Sequence, residues 1–117
     1  MFLTPLELRA DRKPGHWILL RDLIWHGAQY VVVPKGFVTD LASIPRGLRW
    51  LLQQNGNSRR AAVLHDFLYA TQPFTRAEAD GIFRAALKAE RVVGIGRGLY
   101  WAGVRVGGWL PWRRKSK

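Results

Sequence analysis

The chain contains no cysteine, so neither a disulfide framework nor a thiolate metal site can stabilise it, and a reducing compartment is its natural setting. It also lacks any run of roughly 18 continuous apolar residues, which excludes a membrane-spanning helix by hydropathy. The opening Met1-Phe2-Leu3-Thr4-Pro5 has no basic region followed by an apolar stretch, so no export signal is expected and a soluble product is. Acidic residues are scarce and stop at Glu90, after which Arg91, Arg97, Arg105, Arg113, Arg114, Lys115 and Lys117 follow. The formal net charge is +11, a field that draws the protein toward phosphates on nucleic acid, on lipid headgroups or on an acidic protein surface.

What remains is ordinary globular material. The 117 residues are 48% hydrophobic and 23% charged, enough for one core and too few for two domains of normal size. A single α+β domain over residues 1–112 is expected, with a basic tail over 113–117. Trp17 to Leu20 and Tyr30 to Val33 are apolar and partly β-branched, read as two strands paired in a hairpin around a connection holding Gly27. Residues 2–9 alternate loosely and add a further strand. Pro34 to Pro45 mixes breakers with apolar residues and reads as an ordered loop presenting carbonyls, followed by a short helical turn at Arg46 to Leu52.

Three helices complete the pattern. Asn57 or Ser58 caps one that runs to about Ala70, with Ala61, Leu64 and Leu68 on its apolar stripe. Thr75 and Glu78 form a capping box that starts another, running to about Glu90. The short connection between them predicts antiparallel packing. A glycine-rich helix from about Arg97 to Gly108 comes last.

His65 and Tyr69, four residues apart, share one helix face, while Asp66 is rotated by about 100°. The antiparallel hairpin returns Asp80 toward His65. A neutral imidazole takes a proton from water when a carboxylate fixes its other nitrogen, and a second carboxylate beside it can hold a divalent cation. Asp40, on a loop rich in carbonyls, adds oxygen of the kind calcium prefers. The competing reading is structural: His65 bonds a carbonyl, Asp66 pairs with Arg46 or Arg76, and Asp40 caps the short helix that follows it. The sequence leaves both open.

The blocks Gly36-Phe37-Val38-Thr39-Asp40-Leu41-Ala42-Ser43-Ile44-Pro45-Arg46, Ala61-Ala62-Val63-Leu64-His65-Asp66-Phe67-Leu68-Tyr69 and Arg76-x-x-Ala79-Asp80-x-x-Phe83 resemble the small phage and prophage family catalogued as domain of unknown function 1353. That resemblance implies a tailed-phage or prophage origin, in the host cytoplasm or the virion, and no established reaction. Within it, His65-Asp66-x-x-Tyr69 also resembles the active-site helix of phospholipases A2. This second likeness implies His65 as general base, Asp80 as the carboxylate orienting it, Tyr69 as a hydrogen-bond partner and Asp66 as a calcium ligand. The chain departs from the secreted enzymes in having no flanking cysteines and only Gly36 in the candidate calcium loop.

At the C-terminal end, Trp109 and Trp112 with Arg113, Arg114 and Lys115 resemble an interfacial anchor, indoles at headgroup depth and cations on anionic lipid. The alternative is a solvated tail. No helix-turn-helix, zinc-knuckle or RNA-recognition pattern is present, so sequence-specific nucleic-acid binding is not expected. His16 and His26 have no partner at ligand spacing. The functional expectation is a calcium-dependent, phospholipase-A2-like ester hydrolase near the bacterial membrane. The alternative is a non-enzymatic virion component of tail or neck, or a host-factor binder, that contacts other phage proteins and uses its His-Asp motif as a staple.

Overall fold

The structure, a computed structural model, describes residues 1–40, 59–90, 94–107 and 109–115, and for part of the last two stretches the backbone alone. The expected turn at Arg46 to Leu52, the caps Asn57 and Ser58, and residues 41–44 of the candidate calcium loop lie outside them. The architecture is α+β: strands β1 (Leu8–Ala10), β2 (Trp17–Leu19), β3 (Leu23–His26), β4 (Tyr30–Val33) and β5 (Val38–Thr39) precede helices α1 (Arg59–Thr71), α2 (Arg76–Ala89), α3 (Gly94–Gly107) and α4 (Trp109–Lys115). Arg113 to Lys115, read from sequence as the start of a tail, therefore continue a helix.

The expected hairpin is corrected. Tyr30–Val33 pairs not with Trp17–Leu19 but with β3, a strand that the sequence reading placed in the connection. The reason is local. Gly27, Ala28 and Gln29 close a three-residue loop, about 1 kcal/mol less costly in entropy than the nine-residue closure between Leu20 and Tyr30. The register Leu23↔Val33 and Trp25↔Val31 then puts four apolar side chains on the buried face, while Ile24, Val32, His26 and Tyr30 point outward. A Cβ at Gly27 would lie 2.9 Å from the Trp25 indole, so this turn needs glycine.

β2 pairs instead with β1 on one side and β5 on the other, both antiparallel. The turn at residues 34–37 carries the chain from β4 to β5. Phe37 N–H donates to the Pro34 carbonyl at 3.1 Å, and Gly36 occupies φ 92°, the left-handed position that such a turn reserves for glycine. This geometry delivers Thr39 and Asp40 to the side of α1.

α1 is the central element, with Ala61 to Asp66, Leu68 and Tyr69 all buried. It packs against α2, α4, β3 and β5, which is why no single polar face survives in its sequence. It ends where Gln72 turns to φ 51°, its N–H donating to the Leu68 carbonyl, and Pro73 prevents continuation. α2 begins three residues later at the expected capping box: Thr75 Oγ1 accepts from Glu78 N–H at 3.2 Å, and Thr75 N–H donates to Glu78 Oε1 at 3.0 Å. Ala79, Ile82, Phe83, Ala86 and Leu87 follow the 3.6-residue period and face the core.

The two helices are antiparallel. At one end the Arg60 guanidinium grips the Glu90 carboxylate in a fork, Nη2 to Oε2 at 2.7 Å and Nε to Oε1, while Nη1 donates to the Thr4 carbonyl. Arg60 thereby ties the start of α1 and the end of α2 to the N-terminal segment, and its guanidinium lies over the Phe2 ring. At the other end the ties are made by His65, Tyr69 and Asp80.

Candidate active site

One helical turn separates His65 from Tyr69, so both side chains leave α1 toward α2 and meet Asp80 there. His65 Nε2 lies 2.8 Å from Asp80 Oδ1, and the Tyr69 hydroxyl donates to the same oxygen at 2.7 Å. Arg105, from α3, donates from Nη1 to the other oxygen, Oδ2, at 3.0 Å. Three helices thus converge on one carboxylate. His65, Tyr69 and Asp80 are all 0% exposed. The imidazole lies between the rings of Tyr69 and Phe83, centroids at 4.2 and 4.6 Å, and Trp112 of α4 meets Tyr69 edge-on at 5.0 Å.

The electrostatics follow from this packing. Burial by itself would raise the Asp80 carboxyl, but the hydrogen bonds from His65, Tyr69 and Arg105 outweigh it and hold Asp80 below the ordinary carboxylate range. Burial also pushes the Tyr69 phenol well up, the neighbouring Asp80 charge adds to this, and the Arg76 guanidinium beside it opposes only in part. At neutral pH the cluster is a carboxylate surrounded by donors. An ionised carboxylate has no proton to give, so His65 Nε2 carries the hydrogen in this contact.

Asp66 leaves α1 on its other side, as the 100° rotation requires, and is 1% exposed. The Thr39 hydroxyl of β5 donates to its Oδ2 at 2.7 Å, which joins the sheet to the helix. Asp40, the next residue, lies 3.8 Å from His16 Nε2. Among the described residues no three His, Cys, Asp or Glu side chains gather as a metal cluster. Asp66, Asp40 and Thr39 are nonetheless hard oxygen donors, the kind that suits calcium, whose shell is ordinarily completed by carbonyls and water.

Arg76 is not the partner of Asp66 that the structural reading supplied; its Nη2 donates to the carbonyls of Val104, at 2.9 Å, and Arg105. Arg46 lies outside the described residues. His65 Nε2 bonds the Asp80 carboxylate. Arg105 and Thr39 were not anticipated. Neither has a local signal, since each meets its acid across a long stretch of chain, although Thr39 is flagged by standing next to Asp40.

At the C-terminal end Trp109 is 51% exposed and Arg113 is exposed, while Trp112 is partly buried on Tyr69 with its carbonyl accepting from Gln72 Nε2 at 2.8 Å. The side chains of Arg114 and Lys115 lie outside the described residues. No described helix is long and apolar enough to cross a membrane.

The fold is α+β, and its helical hairpin carries the buried His65–Asp80 pair. Residues 17–104 match the family model described as "Protein of unknown function (DUF1353)", and the chain belongs to that family. No curated protein and no solved structure matches it.

Proposed function

We propose that this protein is a phage- or prophage-encoded, calcium-dependent ester hydrolase of phospholipase-A2-like design, acting at an anionic bacterial membrane. The observation that carries the reading is the shared acceptor: His65 Nε2 and the Tyr69 hydroxyl on one oxygen of Asp80, at 2.8 and 2.7 Å. In this reading Asp80 holds the imidazole in the Nε2–H tautomer, so that Nδ1 takes the proton from a water as that water attacks the ester carbonyl. The imidazolium formed is then stabilised by the same carboxylate and returns its proton to the leaving alkoxide. A calcium ion held by Asp66 and Asp40 would supply polarisation of the carbonyl and neutralise the oxyanion. Trp109 and Trp112, with Arg113, Arg114 and Lys115, would bring the protein to anionic lipid, where indole and cation both gain.

A second reading is favoured by the complete burial of His65. In it the cluster only staples α1 to α2 and α3, and the protein is a virion component or host-factor binder that contacts other phage proteins. Release of fatty acid from vesicles of phosphatidylglycerol, with millimolar calcium and again with excess chelator, distinguishes them. The hydrolase releases fatty acid only with calcium. Absence of release in both conditions, from protein that is folded and bound to the vesicles, overturns the hydrolase and leaves the staple.

A further inference from the structure

Asp80 has two oxygens with unlike neighbours. Oδ1 takes two neutral donors from α1, and Oδ2 takes one charged donor from α3, Arg105 Nη1 at 3.0 Å. A carboxylate turns about its Cβ–Cγ bond with little preference of its own, and its two oxygens are equivalent, so what must be fixed is the tilt of its plane. His65 and Tyr69 both donate to one oxygen and hold that end alone. Arg105 holds the other end from the opposite side.

Arg105 is itself held. Arg76 reaches across from the first turn of α2 and donates to the carbonyls of Val104 and Arg105, pinning the α3 backbone at the position from which the guanidinium departs. Val104, next to it, is 0% exposed and locks the same turn into the core. The Arg105 side chain remains 34% accessible while the carboxylate that it grips is 0% exposed. The arginine therefore keeps part of its hydration as it brings positive charge to a buried anion, which lowers the cost of burying that anion.

We infer that Arg105 is a positioning residue for the His65–Asp80 pair, fixing the plane of the Asp80 carboxylate so that Oδ1 stays on the imidazole Nε2–H. The role rests on the hydrolase reading for its catalytic consequence but not for its structural one. Arg105 touches neither the imidazole nor any reacting atom; it acts through Asp80.

The test separates the two consequences. The Nε2–H proton of His65, bonded to a buried carboxylate, gives a downfield proton resonance, assigned by its loss in His65→Gln. In Arg105→Met, which keeps the stem and removes the donors, this resonance broadens or moves upfield as the carboxylate gains freedom, whereas Arg105→Lys retains it. Vesicle hydrolysis then shows kcat lowered roughly ten- to a hundredfold in Arg105→Met with KM little changed, and largely restored in Arg105→Lys. Should Arg105→Met fail to fold, Arg105→Gln is read in the same way. An unmoved His65 resonance in a folded, uncharged variant overturns the inference. A moved resonance in a protein without hydrolytic activity upholds the positioning and overturns only the hydrolase.

Discussion

Replacing Asp80 by Ala should be among the most damaging single changes available to this fold. The side chain is the joint acceptor for two fully buried donors and one partly accessible cation. Arg105 can turn to solvent when the acid is removed, so its loss is discounted. The Tyr69 hydroxyl and the His65 N–H cannot; each buried donor left without an acceptor costs about 1–3 kcal/mol, about 2–6 kcal/mol for the two. Asp80→Asn keeps one oxygen for the two buried donors and loses the charge and the acceptor for the partly solvated Arg105, a smaller cost of about 1–3 kcal/mol. At this chain length roughly 4 °C accompanies each kcal/mol, so Asp80→Ala should melt about 8–24 °C below wild type. Urea unfolding followed by circular dichroism gives both values. An Asn variant as unstable as the Ala variant, or an Ala variant within about 1 kcal/mol of wild type, would refute the shared-acceptor geometry.

The cluster also fixes a pH dependence. Asp80 is held below its unfolded value of 3.8, so its stabilisation is present above that pH and is lost as the pH falls through the lower native value. Tyr69 is pushed above its unfolded value of 10.0, so stability is full below that pH and declines as the pH climbs past it; urea midpoints across the alkaline range should fall in wild type and fall less in Tyr69→Phe. Thr75→Ala removes one half of the capping box and should destabilise by about 1 kcal/mol in the same assay. Gly27→Ala drives a methyl group against the Trp25 ring and should cost about 1–3 kcal/mol, with a tryptophan fluorescence change to report it. Thr39→Val keeps the shape and removes the donor to buried Asp66, costing about 1–3 kcal/mol in the urea midpoint.

The parts of this molecule written in short-range chemistry are legible in its sequence. The Thr75–Glu78 box needs only four residues, and the juxtaposition of His65, Tyr69 and Asp80 needs only a helical period and a short turn. Strand pairing was misassigned because Leu23–His26 is brief and sits between Asp22 and Gly27, where loop chemistry masks its alternation; the register with Tyr30–Val33 becomes plain only once Leu23 and Trp25 are known to be inside. Arg105 was invisible for a different reason. It lies in a glycine-rich helix with two cations, Arg97 and Arg105, and nothing within that helix distinguishes the one that crosses to Asp80. Long-range polar contacts are chosen by the packing of the whole fold, which sequence periodicity does not encode.

The distinction between a working base and a staple is sharpest at His65. His65→Gln nearly preserves volume and leaves an amide N–H to donate to Asp80, so a variant that stays folded is attainable. Fatty-acid release from phosphatidylglycerol vesicles with calcium should be measured beside a thermal melt for wild type and His65→Gln. Release by wild type and its loss in a variant that melts within a few degrees is the outcome that an imidazole base requires. Equal release by the two proteins would contradict a role for His65 in turnover, and no release by either, with His65→Gln melting far earlier, would leave the pair as a structural joint alone.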